Sequence, residues 1–280
     1  MATADERRYY YDLCKRGAGL RPNDRKHVWL QVTGAQSLLN ASLAQPGADY
    51  ISLLEHFDSE FPTLNRHQIA LDMPRTFSDE AFFRNNKERD RRRDTLEEHL
   101  GHEVLEAIQR ICTAYSHRNV QIGYCQGFNF IIGRLLQVMT EEEAFWTFAA
   151  LIESSRVLPL DYYQNLMGAR VDLAVMAELM EEKFPRLAAK GYIEIVCIHI
   201  MNWFITLFAN SLSFDVLVRL WDLLFIKGTK ILFRFTLAIV HLQEEELLRC
   251  HDIVAVRKKL ESVSAYLQDP VIVLQVASQP

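Results

Sequence analysis

Apolar residues spaced three and four positions apart recur along most of this chain, and this spacing limits the possible folds more than any other feature. Such spacing places side chains on one face of a helix, whereas the alternation expected of strands is scarce. Proline or glycine separates the periodic stretches, as at Pro159, Pro185, Gly191 and Gly228. The sequence therefore predicts an all-α fold. The predicted helices cover residues 96–114, 141–152, 171–184, 193–208, 214–224 and 231–248.

The composition is that of a globular chain with a small excess of negative charge. Its 280 residues are 49% hydrophobic and 24% charged, enough for one large or two small buried cores. The net charge of −5 gives no overall attraction to nucleic acid or anionic lipid. The most apolar stretch, residues 193–212, is interrupted by Glu194, His199 and Asn202 and lacks the roughly 18 uninterrupted apolar residues of a membrane span. We expect a soluble protein.

The cysteines and the first residues indicate a cytoplasmic location. Five cysteines lie far apart in the sequence and include no Cys-x-x-Cys pair, which favours a reducing compartment and no structural zinc. The N-terminus carries charge where a secretory signal would carry an apolar stretch. The cysteines are Cys14, Cys112, Cys125, Cys197 and Cys250.

Residues 69–77, which we call the arginine segment, place an arginine beside a proline. Pro74 fixes its own φ and disfavours helical geometry at Met73, so Arg75 is predicted on an extended or turning backbone from which its side chain can project. A planar, permanently charged guanidinium suits the charge that develops on phosphoryl oxygens.

Residues 123–129, the glutamine segment, place a glutamine between two glycines. Gly123 and Gly127 allow backbone bends that residues with a Cβ would resist. Asn129 can form a local hydrogen bond, and a buried helix is predicted from Phe130. The carboxamide of Gln126 is both donor and acceptor, so it can hold an attacking water molecule.

Together the two segments resemble the paired fingers of the TBC domain, the family of GTPase-activating proteins for Rab GTPases. The arginine segment matches the family pattern Ile-x-x-Asp-x-x-Arg, and the glutamine segment matches its second motif with Phe128 at the usual methionine. The stretches Arg25–Trp29 and Trp203–Asp222 resemble other family helices, and their aromatic residues are expected in the core.

The resemblance implies an architecture and a division of the chain. The implied fold is a V-shaped, multi-helix domain with two helical subdomains. Residues 19–250 would form the TBC domain, after an N-terminal extension over residues 1–18 and before a helical or partly extended tail over residues 251–280.

The resemblance also implies the partner and the role of each residue. Arg75 would be an arginine finger, and Gln126 a glutamine finger that replaces the GTPase's own glutamine. The chain lacks the Gly-x-x-x-x-Gly-Lys-Ser/Thr motif, so it is not expected to be a GTPase itself. The resemblance implies a GTPase activator with no cofactor of its own, and GTP and Mg²⁺ would be bound by a Rab-family GTPase. Membrane contact in vesicle trafficking would be indirect, through that GTPase. The residues expected to support the finger loops are Asp72, Arg25, Tyr124, Gly127 and Asn129.

Other interpretations remain open at this point. A TBC-fold module that binds a GTPase or an assembly partner without accelerating hydrolysis is the main alternative, although such members often lack one finger. The basic run Arg84–Arg93 is interleaved with acidic residues and is expected to be a solvated face, with a nucleic-acid, phosphoinositide or GTPase contact as alternatives. His99, His102 and Glu103 lack a further ligand at suitable spacing, so no metal site is expected.

Overall fold

The structure is a computed structural model that describes residues 2–15, 19–45, 47–55, 63–77, 94–263 and 267. Every regular element in these ranges is helical, which confirms the all-α prediction. Two short 3₁₀ helices cover Met73–Arg75 and Gln164–Leu166. The α-helices are α1 (Ala4–Lys15), α2 (Pro22–Thr33), α3 (Ala35–Ser42), α4 (Tyr50–Glu55), α5 (Thr63–Asp72), α6 (Asp94–Arg118), α7 (Phe128–Leu136), α8 (Glu141–Glu153), α9 (Met167–Lys183), α10 (Pro185–Ala189), α11 (Ile193–Ile205), α12 (Phe214–Lys227), α13 (Lys230–Arg249) and α14 (Ile253–Glu261).

All six helices predicted from apolar spacing are present, although several ends differ from the prediction. For α9 and α11 the backbone shows why. Helix α9 follows Leu166, which has a left-handed backbone with φ of 55°. Helix α11 ends at Ile205, and Leu207 and Phe208 then take φ values of 49° and 65°. A left-handed leucine or phenylalanine has no sequence signal because its Cβ disfavours that conformation.

The chain divides into two compact units. Residues 1–34 and 151–280 form the first, called here the terminal unit, and residues 35–150 form the second, called the middle unit. Each unit has its own helical packing, and each is described separately below.

The terminal unit is built around α12. Helices α1, α2 and α13 pack against α12, and α11 packs against α9 and α14. The Arg7 guanidinium on α1 donates to the carbonyls of Ile226 and Val32. Much of the predicted N-terminal extension is therefore a packed helix of this unit.

Aromatic side chains fill the core of the terminal unit, as the sequence predicted. Trp29, Trp203, Phe204 and Trp221 are all buried. The Trp29 ring lies 5.8 Å from that of Trp221 and 4.9 Å from that of Phe225. Such tilted and edge-to-face pairs add to the stabilisation that burial itself provides.

A buried ion pair lies beside this aromatic core. The Asp222 carboxylate accepts hydrogen bonds from Arg25 Nε at 3.0 Å, Trp29 Nε1 at 2.8 Å and the Leu20 amide at 3.2 Å. Arg25 is only 6% exposed and also donates to the Leu20 carbonyl at 2.8 Å. Burial raises the pKa of Asp222, and the donors around it oppose that rise.

The structure shows where the side chain of Arg25 binds. Among the described residues, the hydrogen bonds of its guanidinium are made to Leu20 and Asp222 of the terminal unit. The carboxylate of Asp222 compensates the buried charge. The support of the finger loops by Arg25 stays a prediction.

The middle unit packs α4 and α5 against α6, and α6 against α7. Three buried rings form its aromatic centre at the start of α7. The Phe148 ring lies 4.8 Å from that of Phe128 and 4.9 Å from that of Tyr115, both in edge-to-face geometry. Phe128, which stands at the usual methionine of the family motif, is therefore a core residue.

Candidate functional site

The arginine segment begins as the last turn of α5 and then tightens. Helix α5 ends at Asp72, and Met73–Arg75 form a 3₁₀ turn that the Thr76 amide closes by donating to the Met73 carbonyl at 3.1 Å. Of the extended and turning backbones predicted at Arg75, the structure has the turning one, in the form of a 3₁₀ turn. Pro74 is tolerated there because the first amides of a turn need no partner within it.

The residues after this turn are buried and fix its end. The Thr76 hydroxyl donates to the Asp72 carbonyl at 2.9 Å, and Phe77 adopts a left-handed backbone with φ of 52°. Met73, Thr76 and Phe77 are buried, whereas Arg75 is exposed. The arginine therefore projects from a backbone that is held on both sides.

The glutamine segment has the two glycine bends that were predicted. Gly123 and Gly127 have φ values of 63° and 105°. A Cβ on Gly123 would lie 2.9 Å from Asn65 Nδ2, so a side chain there would displace the Asn65 amide. Helix α7 begins at Phe128, two residues before the predicted start, and Gln126 is exposed just ahead of it.

Hydrogen bonds join the two segments directly. The Tyr124 hydroxyl donates to Asp72 Oδ2 at 2.8 Å and lies 3.3 Å from Asn129 Oδ1. Asn129 Nδ2 donates to Thr76 Oγ1 at 2.8 Å. Asp72, Thr76 and Asn129 are buried, so each of these bonds is shielded from water. The backbones that carry Arg75 and Gln126 are therefore held together as one structure.

The electrostatic surroundings keep the Tyr124 phenol protonated. Burial raises its pKa, and the neighbouring Cys112 and Asp72 groups raise it further. Burial, with a smaller contribution from the Asp72 carboxylate, also raises the pKa of Cys125 to about 11. The phenol is thus a constant donor to Asp72, and the thiol beside Gln126 is neutral near pH 7.

The side chains of Arg75 and Gln126 differ in exposure and hydrogen bonding from the residues beside them. Both are exposed, and neither side chain makes a hydrogen bond or ion pair with any residue that the structure describes. A guanidinium and a carboxamide in this state can bind groups on another molecule without first breaking an internal contact.

Asn65 supports the glutamine segment and was missed by the sequence interpretation. Its Oδ1 accepts a hydrogen bond from the Tyr124 amide at 3.4 Å. Asn65 lies seven residues before Asp72 on α5, which is two helical turns and therefore the same face. One face of α5 thus contacts Tyr124 at its amide and at its hydroxyl. The seven-residue spacing of Asn65 and Asp72 was a sequence signal that both residues lie on one helix face and could contact the same partner.

Three other predictions concern regions away from the two segments. The basic run Arg84–Arg93 lies outside the described residues. Among the side chains that the structure describes, no group of three histidine, cysteine, aspartate or glutamate residues could hold a metal ion. Within the same ranges, every helix is too short or too polar to span a bilayer.

The helical fold and the two joined segments define a class of protein, the TBC domains. The RabGAP-TBC family profile, described as the Rab-GTPase-TBC domain, matches residues 23–248. This match covers most of the chain, and the chain belongs to that family.

Curated relatives agree with this assignment. The chain is 33% identical over 257 residues to TBC1 domain family member 2B of Xenopus tropicalis, covering 90% of this chain and 25% of that protein. It is 32% identical over 256 residues to Growth hormone-regulated TBC protein 1-A of Danio rerio, covering 89% of this chain and 65% of that protein. The chain thus spans about a quarter of the length of the first relative and about two thirds of the second.

Solved structures share the fold. The crystal structure of the Chlamydomonas flagellar RabGAP TBC domain matches with a TM-score of 0.75 and 26% identity, covering 96% of this chain and 83% of that one. The Ypt/Rab-GAP domain of Gyp1p matches with a TM-score of 0.68 and 15% identity, covering 97% of this chain and 91% of that one. At that lower identity the likeness concerns the fold alone.

Proposed function

We propose that this chain is a GTPase-activating protein for a Rab-family GTPase, and that Arg75 and Gln126 enter the nucleotide site of the bound GTPase. The observation that carries the proposal is the state of these two side chains. Both are exposed and without an internal partner among the described residues, yet hydrogen bonds between Tyr124, Asp72, Asn129 and Thr76 join their backbones. Exposed side chains on a fixed backbone are suited to catalysis in trans, because little ordering is needed on binding.

Arg75 would stabilise the transition state of hydrolysis. Negative charge spreads over the γ-phosphoryl and leaving oxygens as the bond breaks, and an arginine supplied in trans contributes about 10³ to 10⁵ in rate. This factor corresponds to about 4 to 7 kcal/mol of the barrier. The guanidinium presents several donors in one plane, so it can bind two oxygens at once where an ammonium would bind one.

Gln126 would orient the attacking water. Its carbonyl oxygen can accept a hydrogen bond from the water while its amide group donates to a neighbouring oxygen. The proposed role replaces that of the GTPase's own glutamine, so the activator would supply both catalytic side chains. GTP and Mg²⁺ would enter the complex with the GTPase, whose GTP-bound form is the substrate.

The location of the reaction would follow from the partner. In this proposal the chain acts in the cytoplasm on Rab GTPases at endomembranes, in vesicle trafficking, and it contacts the membrane only through the GTPase.

The proposal is tested by phosphate release from a panel of purified Rab GTPases loaded with GTP. The wild-type chain should accelerate release from at least one of them, and Arg75→Ala should lower kcat by about 10³-fold or more. Arg75→Lys should be nearly as damaging, because lysine keeps the charge but loses the planar fork. Arg170→Ala, at an exposed arginine of α9, is the matched control and should act like wild type.

Two results would contradict the proposal in different ways. Tight binding of a GTP-loaded Rab without acceleration would indicate the alternative function, a binding module. Wild-type rates for Arg75→Lys would exclude the finger chemistry. A third measurement uses a Rab whose switch glutamine has been substituted, because Gln126 should still permit stimulation of such a protein.

A further inference from the structure

We propose that Phe77 and Arg134 are positioning residues for Arg75, and that α7 forms a socket for the Phe77 ring. The socket consists of Phe130, Gly133 and Arg134, which occupy positions i, i+3 and i+4 of α7 and therefore share one face. This inference rests on the proposed function, since it concerns how the arginine finger is held.

Phe77 has a backbone that only packing can maintain. It follows Arg75 by two residues, is 4% exposed and has φ of 52°. The left-handed conformation is unfavourable for a residue with a Cβ, and a bulky residue adopts it only where its surroundings hold it there. The contacts of the Phe77 ring therefore fix the direction in which the chain leaves the 3₁₀ turn that ends at Arg75.

Two side chains of α7 hold the ring. The Arg134 guanidinium carbon lies 4.5 Å from the Phe77 ring centroid, and Arg134 is 1% exposed. Cation–π attraction is strongest where, as here, water is excluded. The Phe130 ring lies 5.2 Å from Phe77 at an interplanar angle of 89°, which is the favourable edge-to-face arrangement.

Gly133 supplies the space for the ring. A Cβ at this position would lie 2.5 Å from Phe77 Cε2 and 3.1 Å from Ile108 Cδ1, so a side chain there would displace the Phe77 ring. Glycine weakens a helix interior relative to alanine, and its presence within α7 calls for a packing reason. Room for Phe77 is that reason.

The socket gives α7 two functions at once. Its first two residues, Phe128 and Asn129, belong to the glutamine segment, and its second turn, around Gly133, contacts the end of the arginine segment. Displacing Phe77 should therefore move Arg75 relative to the glutamine segment while leaving the guanidinium itself intact. A shift of about 1 Å in a positioned group can lower a rate by about 10²-fold.

The test compares Phe77→Leu, Gly133→Ala and Arg134→Met, each alone and combined with Arg75→Ala or Gln126→Ala. The assay measures kcat and KM with the Rab GTPase that the wild-type chain stimulates most. Each single variant should lower kcat by about 10- to 100-fold with KM little changed. With Arg75→Ala no further loss is expected, whereas with Gln126→Ala the loss should persist. Arg134→Lys, which keeps a cation near the ring, should recover part of the rate.

A control separates positioning from general loss of stability. Phe235→Leu removes a buried ring from α13 in the terminal unit and should lower the melting temperature while kcat is unchanged. Full additivity of the socket variants with Arg75→Ala, or unchanged kcat in Gly133→Ala and Arg134→Met, would overturn the inference. If Arg75→Ala itself had no effect on kcat, the proposed function would fail instead, so the two failures are distinguishable.

Discussion

Arg25 of the terminal unit and Arg75 of the middle unit show two opposite uses of an arginine near a buried aspartate. Arg25 is buried, and its guanidinium is bound by Asp222. Arg75 lies three residues after the buried Asp72 but is exposed, and Asp72 instead accepts a hydrogen bond from the neutral Tyr124 hydroxyl. The two aspartates thus differ in their donors, which are a guanidinium at Asp222 and a phenol at Asp72.

The same chain thus contains one arginine that is bound within the structure and one that is exposed to solvent. Removing Asp222 would leave the Arg25 charge buried without its anion, which is strongly destabilising. The solvated guanidinium of Arg75 needs no such partner, and in the proposed function it would bind phosphoryl oxygens of another molecule. Tyr124 therefore has a second effect besides connecting the segments. Its hydroxyl donates to the carboxylate of Asp72, the acidic residue nearest to Arg75 in the sequence.

The largest expected effect is at Asp222. Asp222→Ala leaves Arg25 buried without its partner, and the free energy of unfolding should fall by about 3–5 kcal/mol. Chemical unfolding measures this change. The double variant Arg25→Met/Asp222→Leu should recover most of the loss, and Arg75→Ala should change stability by less than about 0.5 kcal/mol. Similar stability losses for Asp222→Ala and Arg75→Ala would break the comparison.

A smaller and different effect is expected at Tyr124. Tyr124→Phe removes the donor to Asp72, so kcat for stimulated GTP hydrolysis should fall about tenfold and stability by about 1–2 kcal/mol. Tyr9→Phe, at an exposed tyrosine of α1, is the control and should change neither quantity. A wild-type kcat for Tyr124→Phe would show that the hydroxyl does not hold the segments in register.

Asp172 on α9 is a third carboxylate, and it lacks the donors that Asp222 and Asp72 have. Its buried Oδ2 has no hydrogen-bond partner among the described residues, and burial, with the nearby Asp161 charge, raises its pKa to about 6. The folded state thus favours the protonated form, and folding loses stability as the pH rises from about 4 to above 6.

Asp172→Asn should therefore raise the melting temperature by about 2 °C at pH 7.5, with the gain vanishing toward pH 4. Thermal unfolding across this pH range provides the measurement, and Asp215→Asn at an exposed position of α12 is the control. An equal gain at both pH values would mean that ionisation of Asp172 is not the cause.

The smallest effect is expected at Ser213, which precedes α12. Its φ of −61° already suits proline, and its side chain makes no capping hydrogen bond. Ser213→Pro should stabilise the protein by about 0.4–1 kcal/mol by restricting the unfolded chain, with kcat unchanged. A fall in melting temperature would show that the residues around Ser213 cannot accept the proline ring.

Apolar spacing was sufficient to predict the helices, but it did not predict where a residue with a Cβ takes a left-handed backbone. No sequence pattern predicts the left-handed backbone of Leu166 or Leu207, because a Cβ disfavours that conformation. The family motifs identified Asp72, Tyr124 and Asn129 as residues of interest, and their catalytic support remains a prediction. They could not indicate that Asn129 bonds to Thr76, since partners about 50 residues apart are brought together only by the tertiary fold.

The same reason accounts for the contacts of Arg25 and Asn65. The resemblance implied a supporting role for Arg25, which stays a prediction, and it could not indicate that the Arg25 guanidinium binds Asp222, 197 residues away in the sequence. Asn65 carries no motif, yet its side chain reaches the Tyr124 amide because α5 places it on the face that bears Asp72.

The hydrogen bonds that connect the two segments are all made between residues 65 and 129. The connection therefore uses residues of one contiguous stretch and no side chain of the terminal unit. Substitutions on surfaces outside this stretch should leave these hydrogen bonds in place.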